Sequence, residues 1–543
     1  MEHIRLLLIV ALSFTGFQLW EAWQRDYAPT PAAPAPSLSA TSVPATLPNV
    51  VDNPTTAPLP NNASATSPPS ANATIVSATS DLFQIHISTA GGTLESVSLL
   101  AYPTSTAAGA PPVELLGTDA KRAFIQESGL TGSAELPNHH AIYTTDAASY
   151  TLASNAEKLV VPLHWTTPKG VTVEKRIILT RGSYVITIEH EILNKSSVPL
   201  HTHLYEQLKR NDESSMRGMV YTFTGPALST PEKRFAKFKF SEIQETPIAV
   251  TATSAWVGII QHYFVTALIP PSDVPYHFYS KTLDETHYLV GYQGPEVVVA
   301  PATQQTLSSR VYIGPKRHDI IATIAPGLEL SVDFGQLWFI AKPLFMTLRY
   351  IHDQIGNWGF AIILVTLLLK VMFFPLSAAG YRSMANMRRV QPRMLALRER
   401  FTDDRAQLNQ AMMKLYKDEK INPLGGCLPI VIQIPVFIAL YWVLLESVEM
   451  RQAPFMLWVH DLSEKDPFFV LPLLMGISMW AQQKLNPAPI DPMQAKVMQI
   501  MPIMFTVFFA FFPSGLVLYW FVNNMLSIAQ QWQITRAIEA KAR

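Results

Sequence analysis

Residues 427–445, CLPIVIQIPVFIALYWVLL, run without a charge for the length of a membrane-spanning helix, about 29 Å at 1.5 Å per residue. Such a run needs lipid or a deep core, and its companions favour lipid. Further apolar runs cover 356–376, 468–483 and 497–532. The last is about twice the length of a span, and FFPSGL at 511–516 is turn chemistry that divides it into 497–512 and 515–532. With 48% hydrophobic and 15% charged residues, the 543-residue chain is too oily for an ordinary soluble enzyme.

Charge sets the direction. The segment 377–426 carries ten Lys and Arg against five Asp and Glu. The segment 446–467 reverses the bias, with Arg451 and Lys465 facing five acids. The positive-inside rule then makes the first segment cytoplasmic and the second external. The basic tail 535–543 returns to the cytoplasm only if 497–532 crosses twice.

The N-terminus, MEHIRLLLIVALSFTGFQLWEAW, reads as an uncleaved signal anchor over 1–23, because Trp20 and Trp23 follow the apolar run where a cleavage site would stand. A cleaved signal is the alternative, given the small residues at Ala32 and Ala33. Residues 24–80, rich in Pro, Ala, Ser and Thr, cannot bury a core and read as a linker. Asn62 and Asn72 begin glycosylation-like triplets of a kind common by chance in such a tract.

From 81 to 331 the pattern has period two. Val171, Val173, Ile177 and Leu179 alternate with polar residues, and after the Arg181-Gly182 turn Tyr184, Ile186 and Ile188 resume. This predicts a large all-β sandwich, external because it lies between the first two spans. His201, His203 and nearby Glu206 could suggest a metal, but without further ligand spacing they read as a solvated strand face. Over 332–355 the period becomes helical, with Leu337, Ile340, Leu344, Leu348, Ile351 and Ile355 in one stripe. That predicts a helix lying in the membrane interface or, alternatively, one packed on the β domain.

The cytoplasmic segment 377–426 reads as an antiparallel helical hairpin that turns at FTDD, 401–404. Met384, Met387 and Met394 line one arm and Met412 the other; they suit either packing between the arms or adaptable contact with apolar partners. Cys427 is the single cysteine, and the chain has neither a GxxxxGK[ST] loop nor an HExxH motif. No cofactor, metal or nucleic-acid recognition is therefore expected.

The strings GNWGFAIILVT (356–366), KINPLGGCLPIVIQIPVFIALYWVL (420–444), EMRQAPFMLWVHDLS (449–463) and FPSGLVLYWFVNN (512–524), with WVGIIQHYFVTALIP (256–270), resemble the YidC-type membrane protein insertases of Gram-negative bacteria. The resemblance implies a multi-domain inner-membrane protein, with an α-helical bundle of six spans and a periplasmic β-supersandwich. It is expected not to be an enzyme. It also implies nascent membrane proteins as clients, the Sec translocon, lipid and, weakly, the ribosome as partners, and a hydrophilic groove holding one arginine. Here that position is Lys370, which keeps the charge and loses the planar fork.

Lys370 is the one charged residue within the five C-terminal spans. Lining the groove with it would be Thr366, Gln433, Gln499, Asn523 and Asn524, while Phe437, Met475, Phe509 and Trp520 would form an apolar slide for clients. The alternatives are a lysine that merely snorkels to the headgroups, polar groups that glue helices, a secondary transporter using Lys370 as its substrate or proton site, and a membrane-anchored sugar-processing enzyme.

Overall fold

The computed structural model describes residues 73–119, 122–133, 136–211, 222–284, 286–401, 404–419, 428–485 and 492–542. The expected signal anchor, most of the linker and Cys427 lie outside the described residues. The chain divides into a unit of 57–487 with 502–543 and a smaller one of 1–56 with 488–501.

Among the described residues twenty strands form two sheets, of eleven and nine. Alternation builds them. Val171–Thr180 and Val185–Asn194 pair antiparallel, Ile186 opposite Leu179, and every second side chain of each is buried. Gly182 turns between them at φ +70°, which a Cβ would disfavour. The first strand, Ile75–Thr79, pairs with Phe83–Ser88, so the β domain begins inside the expected linker. Its Ser77, Ala78 and Thr79 share the linker's composition, which hid it.

The core contains a polar layer. Lys175 and His190, paired across two strands, point inward at positions the alternation reserves for apolar groups, and both are fully buried. Opposite them lie Gln126, Ser128 and Glu206, also fully buried. Lys175 Nζ donates to the Gly91 and Ser128 carbonyls at 2.7 and 3.2 Å. The Glu206 carboxylate accepts from Ser309 Oγ at 2.6 Å and from the Tyr292 hydroxyl at 2.9 Å. Burial pushes Lys175 down to about 7 and Glu206 up to about 7. The layer divides a small apolar cluster around Val173, Ile192 and Leu204 from the main core around Ile177, Ile188 and Leu208. A solvated strand face therefore describes the exposed His201, paired with Glu296 at 2.9 Å, and not Glu206, which lies on the inner face of the same strand.

Among the described residues eight α-helices follow: α1 Trp338–Ile355, α2 Trp358–Met372, α3 Phe374–Arg400, α4 Arg405–Asp418, α5 Leu428–Glu446, α6 Val470–Leu485, α7 Pro492–Phe509 and α8 Ser514–Ala542. Helix α1 buries Ala341, Leu344, Phe345 and Leu348 and exposes Trp338, Phe339, Met346 and Tyr350. It starts six residues after the expected 332; Gly335, at φ +67° against the Trp442 indole, turns the chain first.

Among the described residues no single helix is long and apolar enough to cross a membrane; α2 and α3 pass that test as a pair bent by 68°. The expected span 356–376 is therefore interrupted at Phe373, because Pro375 opens the first turn of α3. The break expected at 511–516 separates α7 from α8, and α8 continues through Thr535 to Ala542, making the tail helical. The hairpin has its two arms, α3 and α4. Asp404 caps α4 by accepting from Gln407 N at 2.9 Å, and Arg393 pairs with Glu419 across the arms.

The β domain docks on the 446–467 segment. His262 Nε2 lies 2.8 Å from the Leu445 carbonyl, and Arg451 and Gln452 donate to the Pro103 carbonyl at 2.6 and 2.9 Å.

Candidate functional site

Helix α2 places the charge. Asn357 caps its start by accepting from Phe360 N at 3.1 Å, and Gly359 admits the Phe455 ring, which a Cβ would displace. Lys370 falls in the last turn, where the helix dipole favours a cation. It is half-buried, and its Nζ donates to Ser527 Oγ of α8 at 2.7 Å. Ser527 Oγ in turn donates to the Asn523 carbonyl at 2.7 Å, and Tyr381 of α3 stands beside it.

Beside this lysine is an open recess with a cavity volume of about 30 Å³, lined by Thr366, Lys370, Phe373, Ser377, Gln433, Tyr519, Asn523 and neighbouring aliphatic side chains. Four of the expected polar groups thus meet: Thr366, Lys370, Gln433 and Asn523. Thr366 lines the wall while its hydroxyl donates to the Ile362 carbonyl at 2.6 Å, and Gln433 and Tyr519 line it together. A lysine among hydroxyls and amides at the mouth of a cavity can hold water and attract anionic groups.

The family described as the YidC periplasmic domain matches residues 75–347, and that described as the 60Kd inner membrane protein matches 350–541. A membrane protein insertase YidC of Methylococcus capsulatus is 46% identical over 543 residues, covering 99% of each chain. The chain belongs to the YidC family of membrane protein insertases. A second YidC insertase, from Methylobacillus flagellatus, is 46% identical over 100% of this chain and 98% of its own. Among solved structures, an active YidC insertase with its first transmembrane domain resolved aligns over 83% of this chain and 90% of that one, at 18% identity and a TM-score of 0.39.

In this YidC-family chain other expected site residues fall elsewhere. Asn524 Nδ2 donates to Ser478 Oγ at 3.1 Å, tying α8 to α6. Gln499 is exposed on the part of α7 within the smaller unit, while the cavity lining belongs wholly to the larger one. Of the apolar slide, Met475 and Phe509 are buried packing groups, 0% and 2% exposed. Phe437 and Trp520 are partly exposed and meet edge-to-face at 4.5 Å. In the hairpin, Met394 is buried, Met387 and Met412 are half-buried, and Met384 packs with Ala378, Tyr381 and Ile534, toward α8 rather than the other arm. Ser377, Tyr381, Tyr519 and Ser527 escaped the sequence reading. The available signal was spacing, since Tyr519, Asn523 and Ser527 are four residues apart on one helix face.

Proposed function

We propose that the chain inserts membrane proteins by admitting a client's hydrophilic segment to the cavity beside Lys370 while the client's apolar segment passes into lipid. One observation carries this reading: the ammonium is held inside the helical bundle, at the wall of an open cavity whose other polar groups are uncharged. Moving a polar segment through hydrocarbon costs several kcal/mol for each unsatisfied backbone group. A hydrated recess shortens that crossing, and burial of the client's apolar helix drives it without a nucleotide. A carboxylate 4 Å from the ammonium gains about 4 kcal/mol at an effective dielectric near 20, before desolvation is subtracted.

The charge distribution supports a cytoplasmic hairpin and C-terminus with the β domain in the periplasm. Helix α1, with its exposed Trp338, Phe339 and Tyr350, then lies in the outer interface. The basic hairpin supports transient ribosome contact, and the family resemblance supports work beside the Sec translocon.

Insertion of two clients that differ only in the acidity of the translocated tail, measured with Lys370, Lys370→Arg, Lys370→Ala and Lys370→Glu, tests the reading. Arginine keeps the acidic client's advantage, alanine removes it and glutamate inverts it. Equal losses for both clients across the series would leave Lys370 a packing or hydrating group.

A further inference from the structure

Lys370 has a long, flexible stem and stands three residues before the end of α2 at Phe373. An unrestrained ammonium there would extend along the helix toward the headgroups. Instead it crosses to α8 and rests on Ser527, 157 residues away in sequence.

The bonding capacity of Ser527 explains why the ammonium stays there. A hydroxyl offers one donor and two acceptor positions. Its donor is spent on the Asn523 carbonyl one turn earlier, which fixes where the lone pairs point. One lone pair receives Lys370. The hydroxyl cannot rotate away without giving up both bonds.

The choice of partner matters as much as its geometry. A carboxylate at 527 would hold the lysine too, but as an ion pair whose charge is already answered. A serine oxygen anchors the ammonium and leaves its charge whole, with two N–H groups remaining for the cavity. Among the described residues no carboxylate pairs with Lys370. Ser527 lies behind the lysine and is not part of the cavity wall.

We propose that Ser527 is the positioning residue of the groove: it aims an unneutralised Lys370 ammonium into the cavity and so sets the preference for client segments bearing carboxylates. The inference rests on the groove reading above and adds the device that makes it selective.

The test uses the full-length protein in membranes, the same pair of clients, and the ratio of acidic-tail to neutral-tail insertion as readout. Ser527→Ala lowers that ratio by about tenfold, the factor expected when a hydrogen bond to a charged group is lost. Ser527→Thr, which keeps the hydroxyl, restores it. In the Lys370→Ala background Ser527→Ala changes the ratio no further, because there is no ammonium left to aim. If Ser527→Ala fails to accumulate, Ser527→Cys, close in shape and a poor acceptor, takes its place with the same expected loss. A ratio untouched by Ser527→Ala or Ser527→Cys while Lys370→Ala abolishes it overturns the positioning role alone. A ratio untouched by Lys370→Ala overturns the groove reading beneath it.

Discussion

Lys316 Nζ lies 3.0 Å from Glu446 Oε2, with the two side chains 2% and 6% exposed. The lysine follows the last long strand of the β domain, Thr303–Pro315, and the glutamate ends α5, so the pair joins the domain to the helical bundle at a site closed to water.

Removing one partner strands the other charge in a dry site. Lys316→Met should destabilise the docked arrangement by about 3–5 kcal/mol, the usual cost of breaking a buried pair. The double variant Lys316→Met/Glu446→Leu should recover most of it, since two apolar groups need no partner. Protease sensitivity of the β-domain junction, compared among the three proteins, reads the order directly. A double variant as sensitive as the single one would show that the charges themselves hold the joint.

The polar layer predicts a pH dependence of opposite sign for two of its three ionisable members, Lys175 and Glu206. Lys175 gives up its proton near pH 7 in the folded domain and near 10.5 at its ordinary value. Between those limits the unfolded chain binds the extra proton, so stability rises with pH, by at most about 1.4 kcal/mol per pH unit. Glu206, raised from 4.5 to about 7, keeps its proton longer in the folded state, so its contribution falls as pH rises through that window. Denaturant unfolding of a 73–333 fragment should therefore show stability rising from pH 7.5 to 9.5. In Lys175→Met the rise should vanish. Parallel profiles for the two proteins would mean that Lys175 is charged inside the sandwich.

Orientation can be read with single cysteines in a Cys427→Ser background. Lys233→Cys and His460→Cys should react with an impermeant thiol reagent from outside, and Arg388→Cys and Ala540→Cys only after the cytoplasmic face is opened. All four positions are exposed. Outside labelling at 540 would mean that α7 and α8 cross the bilayer once between them.

Much of this was legible in the sequence, and the omissions have physical causes. Alternation alone marks Val171–Thr180 and Val185–Asn194 as paired strands, but it marks positions and not partners. Lys175 occupies an inward position once the Gly91 and Ser128 carbonyls receive its ammonium, whereas both ring nitrogens of His190 are buried there without a hydrogen-bond partner among the described residues. Asn523 and Asn524 looked equivalent, yet adjacent residues on a helix point about 100° apart, so one lines the cavity and the other ties α8 to α6. Met475 and Phe509 were recognisable as apolar, but which apolar face is covered depends on the neighbouring helix. Ser527 was hidden for a different reason. A serine in an apolar helix ordinarily bonds back to the carbonyl four residues earlier, as this one does, and its second role appears only when Lys370 arrives from another helix.

The break at Phe373 divides two arms of unequal length. Helix α3 extends about 40 Å beyond it, whereas Lys370 lies about 4.5 Å before it. A swing of about 10° about that joint carries the far end of α3 through about 7 Å, and the same angle on the short side displaces the lysine backbone by less than about 1 Å. A swing there would move the far end of α3 and leave the Lys370 backbone nearly where it is.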